Sequence, residues 1–171
     1  MKGFVQVYTG NGKGKTTAAL GLALRAAGAG LSVFIGQFLK QGDYSEINAL
    51  KRFDDLITLR QYGQGRFVRG EPSPEEIAAA RAGLADLRTA MASRTYDLVV
   101  VEEGNVAVAC GLITVAELLD LVAARPDSTE LLITGRNAPP ELIAKADLVT
   151  EMREIKHYYQ RGITARVGIE K

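Results

Sequence analysis

The 171-residue chain has no tryptophan, one histidine (His157), one cysteine (Cys110) and three methionines. So thin a supply of nitrogen and sulfur ligands excludes a multi-His or multi-Cys metal site built from one copy of the chain. A lone cysteine cannot close an intramolecular disulfide, which suits a reducing cytoplasm. Charge of one sign is not in excess either: 21 Lys and Arg stand against 20 Asp and Glu, a formal net charge of +1 with no basic block. That balance argues against a polyanion-coating role, and no nucleic-acid partner is expected. No apolar stretch approaches the roughly 20 residues of a membrane span. Met1-Lys2-Gly3 leads directly into a short strand-like run, so neither a secretory leader nor a membrane partner is expected.

What the chain does have is a 47% hydrophobic content with 24% charged residues, the composition of a globular domain. At this length about 70% of the extended chain's surface can be buried, enough for one unstapled domain over residues 1–171. Short β-rich runs alternate with longer helical patterns, which predicts an α/β fold: a mostly parallel sheet with helices on both faces, in three layers. Strands are expected over 4–8, 32–38, 57–62, 96–101, 130–134 and 148–151, and helices over 15–29, 45–53, 74–92, 115–124 and 140–146. The run Leu98-Val99-Val100-Val101 is continuously apolar, as in a strand covered on both faces. Ser73-Pro74-Glu75-Glu76 and Thr114-Val115-Ala116-Glu117 carry capping-box starts. Residues 63–72 form a long Gly-containing loop of the kind that often serves function, and the alternation over 163–169 predicts a final edge strand.

Directly after the first strand comes Thr9-Gly10-Asn11-Gly12-Lys13-Gly14-Lys15-Thr16-Thr17, followed by a helical pattern. This is a phosphate-binding loop in its strand–loop–helix context. Its glycines allow positive φ, so that successive N–H groups converge on an anion, and the following helix adds its positive end. Lys15 supplies a mobile charge for phosphates and the Thr16 hydroxyl is placed to ligate Mg²⁺. Three residues rather than the usual four separate the glycines Gly10 and Gly14, so Thr9 stands at the first-Gly position, and Lys13 is an extra cation within the loop. An acidic partner for the metal is expected at the end of an apolar strand, where Val101 leads into Glu102 and Glu103. Period-two alternation forbids both carboxylates from facing one site if the strand continues through them.

Taken with this loop, Gln37-Phe38-Leu39-Lys40, the run Glu102-Glu103-Gly104-Asn105-Val106-Ala107, Thr134-Gly135-Arg136-Asn137-Ala138-Pro139, residues 146–152, Lys156-His157 and Gly168-Ile169-Glu170 give an order and spacing that resembles the P-loop ATP:corrinoid adenosyltransferases. The shortened loop is itself similar to that family's signature. The resemblance implies a P-loop NTPase-like fold, a homodimer, and transfer of the 5′-deoxyadenosyl group of the co-substrate ATP to the Co(I) of a reduced corrinoid, cobalamin or a precursor, with release of triphosphate. A reductase partner would supply the Co(I). By the same resemblance Gly10, Asn11, Gly12, Lys13, Gly14, Lys15, Thr16 and Thr17 would hold the triphosphate, Arg136 and Asn137 would close over the nucleotide, and Thr16 with Glu103, and secondarily Glu102, would hold Mg²⁺. Lys13, Lys15 and Glu103 would carry the catalytic load. Phe67, Gln37 and Lys40 would meet the corrinoid.

The chain departs from the family pattern at Glu102, where many members have Asp, and at Gly104, where they have a bulky apolar residue that would pack or line the corrinoid side. Longer members fold an N-terminal extension as a lid, so here a lid is expected from elsewhere. They also place a Trp beside the corrinoid-facing Phe, and this chain has none. Phe38 reads more simply as core, Cys110 as a small buried hydrophobe, and His157 as either structural or near the substrate. The loop alone also fits a P-loop NTPase or nucleotide switch that binds a protein partner, and a corrinoid carrier remains a third reading.

Overall fold

Each of the six β-rich runs forms a strand. In the computed structural model, which describes residues 2–65, 68 and 70–170, these are β1 (Val5–Thr9), β2 (Val33–Phe38), β3 (Ile57–Tyr62), β4 (Leu98–Glu102), β5 (Glu130–Thr134) and β6 (Leu148–Glu151). They build one sheet in the order β3-β2-β4-β5-β1-β6, and every pairing is parallel. Parallel neighbours need crossovers, and the helices supply them: α1 (Lys15–Gly28), α2 (Ser45–Leu50) with a 3₁₀ turn at Lys51–Phe53, α3 (Pro74–Ser93), α4 (Gly104–Ala109), α5 (Val115–Ala123) and α6 (Pro140–Lys145). The result is the α/β, three-layer, P-loop NTPase-like architecture expected.

Alternation along the strands divides the core in two. Val33, Ile35, Leu98, Val100 and Leu132 pack under Ala19, Leu20, Ala23, Ala26 and Ala27 of α1. Phe34, Phe38, Val99, Val101, Leu131 and Ile133 pack on the other side with Leu84, Leu87 and Met91 of α3, Leu118 and Leu121 of α5, and Leu142 of α6. Both capping boxes form, at Ser73 with Glu76 and at Thr114 with Glu117, so α3 and α5 begin where their start signals stand.

One expectation changes, and one open condition is resolved. Residues 163–169 do not add a strand: Gly162 and Gly168 take φ of 77° and 78°, and Glu170 accepts from the Arg166 backbone N–H and pairs with its guanidinium, so the segment curls on itself. The stretch after Glu102 does not extend β4 either. Glu103 adopts φ 57° and the chain turns at once into the short helix α4. Gly104 lies under this turn, where an added Cβ would come within 2.7 Å of Val101 Cγ1 and 3.3 Å of Ile133 Cγ2. A side chain there would enter the core rather than line a ligand face.

Because all strands run the same way, their C-terminal ends share one edge, and the loops after β1, β2, β4, β5 and β6 meet there. One close contact of α3 with the sheet is Leu87 against Gly36, where an added Cβ would lie 3.0 Å from Leu87 Cδ2. Leu87 is fully buried. Truncation to Leu87→Ala leaves a cavity that the glycine cannot fill, at an expected cost of about 2–5 kcal/mol. Urea denaturation should show a lower midpoint with an unchanged m value; an unshifted midpoint would contradict this packing.

Candidate active site

The phosphate loop is held from two sides. The segment following β6 runs along it: the Gly12 N–H donates to the Met152 carbonyl at 2.7 Å, and the Met152 N–H donates to the Thr9 carbonyl at 2.8 Å. A Cβ on Gly12 would approach that Met152 oxygen to 2.7 Å, so only glycine allows the approach. Gly14 takes φ 117° and leaves α1 without a side-chain cap, so the first turn of the helix opens onto the cavity that Gly14, Lys15, Thr16 and Thr17 line. Lys15 folds back over the loop and its ammonium donates to the Gly10 and Gly12 carbonyls at 2.7 Å each. Burial, and after it the charge of Arg136, push this ammonium below its usual pKa.

The carboxylates stand opposite. Glu102 is completely buried at the end of β4, and its Oε1 accepts from the Thr16 hydroxyl at 2.5 Å and from the Lys40 ammonium at 3.2 Å. The turn at Glu103 breaks the strand alternation, so Glu103 also lines the cavity beside Glu102. Its backbone N–H donates to the buried Thr134 hydroxyl at 3.0 Å. Burial and then the charge of Glu102 raise the Glu103 carboxyl above the ordinary carboxylate value. Oε2 of both residues is buried without a protein hydrogen-bond partner. Two orphaned carboxylate oxygens and a hydroxyl are hard donors that fit Mg²⁺, and the described residues contain no group of three or more His, Cys, Asp and Glu that would hold a metal by itself. A cation taking its remaining ligands from phosphate and water matches that set.

The loop after β5 completes the site. Its Gly135 carbonyl accepts from the buried Asn105 side chain at 3.0 Å, and the Ala138 N–H donates to the Thr9 hydroxyl at 3.2 Å. Thr9, which stands where the usual spacing puts a glycine, thus ties this loop to the phosphate loop. Arg136 lines the cavity, whereas Asn137 is exposed and takes φ 58°. Gln37 is buried and accepts from Gln61 at 2.9 Å, so it stays within the sheet. Phe38 is core. Phe67 lies outside the described residues.

The cavity measures about 870 Å³, toward the upper end for small-molecule sites. It is lined by the loop with Lys13, Lys15 and Arg136, and by the apolar side chains of Leu20 and Leu24 of α1, Leu39 and Tyr44. Sequence reasoning passed over these apolar side chains, whose signal was only a helical face. His157, Gly168, Ile169 and Glu170 close another side. The Lys13 ammonium donates to the Ile169 carbonyl at 3.1 Å and pairs with Glu170 at 3.6 Å. Glu170 is bonded in turn to Tyr158 and Arg166, and these bonds, Arg166 first, hold its carboxyl well below the usual range.

Residues 1–170 match the model of the family described as ATP:corrinoid adenosyltransferase BtuR/CobO/CobP. The chain belongs to this family. A corrinoid adenosyltransferase of Pseudomonas aeruginosa is 34% identical over 170 residues, covering 99% of this chain and 84% of that protein. Corrinoid adenosyltransferase CobA of Salmonella typhimurium is 33% identical over 171 residues, covering 99% and 86%. Among solved structures, the RadB recombinase superposes with a TM-score of 0.56 at 16% identity, over 91% of this chain and 77% of that one; the likeness is one of fold. This adenosyltransferase-family chain is therefore a transferase on a P-loop scaffold. No helix among its described residues is long and apolar enough to cross a membrane.

The raised Glu103 carboxyl has a consequence for stability. In the protein without nucleotide or metal, the folded state holds this proton to higher pH than the unfolded chain does, so Glu103 weakens folding as pH rises from the ordinary carboxylate value through the raised one. Glu103→Gln should therefore be more stable than the parent near neutrality, the gap closing toward about pH 4. Urea midpoints measured across that range check this; parallel curves would refute it.

Proposed function

We propose that this protein transfers the 5′-deoxyadenosyl group of ATP to the Co(I) of a reduced corrinoid, cobalamin or a precursor, and releases triphosphate. The observation that carries this reading is the meeting, in one cavity, of a phosphate loop with an acidic corner bonded to Thr16 and the apolar side chains of Leu20, Leu24, Leu39 and Tyr44. Polar and apolar linings suit a triphosphate and the face of a macrocycle respectively. The family to which the chain belongs agrees with it.

In this mechanism the loop N–H groups of residues 13–17, Gly12 being bonded to Met152, and the ammonium groups of Lys13 and Lys15 bind the triphosphate, with Arg136 reaching the same anion from the loop after β5. Glu102 and Thr16, with Glu103 adjacent, would hold Mg²⁺, which when bound neutralises charge on the phosphate oxygens. The substrate's own Co(I) donates its electron pair to C5′, the C5′–O5′ bond breaks, and the electrons leave with the triphosphate while cobalt becomes Co(III). No protein base is required, so one histidine suffices, and the protein's contribution is alignment and leaving-group neutralisation. Leu20, Leu24, Tyr44 and Phe67 would seat the corrinoid. A homodimer, a reductase partner that supplies Co(I), and a cytoplasmic setting belong to the same reading.

Incubation with ATP, Mg²⁺ and chemically reduced corrinoid should give a light-sensitive adenosylated corrinoid and intact triphosphate by ³¹P NMR. ADP and phosphate without adenosylated corrinoid would overturn the proposal in favour of a nucleotide switch. Lys15→Met should lower kcat/KM for ATP roughly 10- to 100-fold, the value of one or two charge-assisted hydrogen bonds to phosphate. Phe67→Ala should impair adenosylation far more than ATP binding; equal losses would place the corrinoid elsewhere.

A further inference from the structure

Lys40 lies on the loop after β2, and its ammonium donates to Glu102 Oε1 at 3.2 Å and to the Thr16 hydroxyl at 3.5 Å. These are two of the three side chains assigned above to Mg²⁺, and the inference rests on that assignment. We propose that Lys40 is the resident counter-cation of the metal site: it holds the place of the divalent ion until nucleotide arrives, and it makes metal binding depend on ATP.

The physical case begins with Glu102. Its side chain is fully buried, and an uncompensated buried carboxylate is strongly unfavourable. Among the described residues Lys40 is the one cation in ion-pair contact with it. The Thr16 hydroxyl donates its proton to Glu102 and accepts from Lys40, so the oxygen that a metal would need is already engaged on both sides. Glu102 Oε2 is open to a metal, but an ammonium and a Mg²⁺ cannot both occupy this corner, because they share the Thr16 oxygen and their charges repel across one carboxylate. Metal entry therefore requires Lys40 to leave.

Its departure has a direction. The Lys40 side chain is 23% exposed and lines the cavity, so it is not locked in the core. The ammonium already stands 6.0 Å from the centroid of the Tyr44 ring, whose face offers a cation a secondary resting place. A triphosphate bound at residues 11–17 supplies the further oxygens that let a divalent ion outcompete the ammonium, and its negative charge receives the displaced lysine. Without nucleotide, a metal must compete against a covalently tethered cation for one carboxylate.

Equilibrium dialysis of Mn²⁺ against the full chain, with and without ATP, tests this. The parent should bind Mn²⁺ weakly alone and tightly with ATP, beyond what ATP alone retains. Lys40→Met should bind Mn²⁺ without ATP about tenfold more tightly than the parent, since the metal then supplies the missing charge. Lys40→Arg should stay as weak as the parent, and adding Glu102→Gln to Lys40→Met should abolish the gain. Mn²⁺ should also raise the Tm of the Lys40→Met variant more than that of the parent. Lys40→Gln, which keeps a donor but no charge, should show the same gain and replaces the methionine variant if that one does not fold. Unchanged or weaker Mn²⁺ binding in the folded neutral variants overturns the inference. If the parent retains no Mn²⁺ beyond ATP alone, the metal assignment itself fails; if it does so but the neutral variants gain nothing, only the role of Lys40 fails.

Discussion

A carboxylate placed where water cannot reach it governs the arrangement of this protein. Glu102 ends a strand buried along its whole length, and its charge is tolerable only because a hydroxyl and an ammonium are brought to it. Both partners come from elsewhere in the sheet. Thr16 stands on the first turn of α1, which follows β1, and in the strand order β5 lies between β1 and β4. Lys40 follows β2, on the other side of β4. One oxygen atom thus draws together loops from both flanks of the central strand. The phosphate loop, the acidic corner and the apolar lining from α1 are held in register by the same demand.

The second constraint follows directly. If β4 continued past Glu102, the next side chain would point to the opposite face and the corner would hold one carboxylate. The turn at Glu103 cancels the alternation, and the Thr134 hydroxyl holds that turn by accepting its N–H. Thr134 opens the loop that carries Arg136, and that loop is tied at Gly135 to Asn105 and at Ala138 to Thr9. Cation and anion are therefore set by one chain of bonds from buried groups, so a displacement of the β5 loop moves the acidic corner with it. This is how the scaffold fixes the distance between charges that would otherwise collapse onto each other or hydrate separately.

What could be read from the sequence was what local chemistry dictates. Six strands, the phosphate loop and the starts of α3 and α5 followed from apolar runs, from Gly-Lys-Thr spacing and from capping residues, all signals contained within a few positions. The positive φ at Glu103 carried no such signal, because a glutamate gives no hint of left-handed backbone; the conformation exists only because Thr134 and the buried helix α4 impose it. Gln37 was placed near the corrinoid because it precedes Lys40 at a strand end, yet its own partner proved to be Gln61 on the neighbouring strand. The curl of residues 163–169 was hidden for a different, local reason: the hydrophobic alternation was genuine, but two glycines and the pull of Arg166 toward Glu170 outweigh it. At Glu103 and Gln37 the deciding contact joins residues distant in sequence, whereas the curl is decided by glycines and an i,i+4 pair that the alternation masked.

That curl changes how the site is enclosed. The segment after β6 first clamps the phosphate loop through Met152, and its far end then returns to meet the same loop at Lys13 through the Ile169 carbonyl and Glu170. A loop rich in glycine has a high conformational cost to order, and a segment bonded to it at both ends lowers that cost before any anion binds. Glu170 is also the one acidic side chain in contact with Lys13 among the described residues, and it is held there by Tyr158 and Arg166 rather than by Lys13 alone. Both contacts between the far end of the tail and the loop are made by Lys13, so a Lys13 that turns to a phosphate frees that end from the loop, while Glu170 stays bonded to Tyr158 and Arg166 within the tail. The clamp at Met152 does not involve Lys13, so the near end of the segment holds the phosphate loop while Lys13 exchanges the far end for an anion.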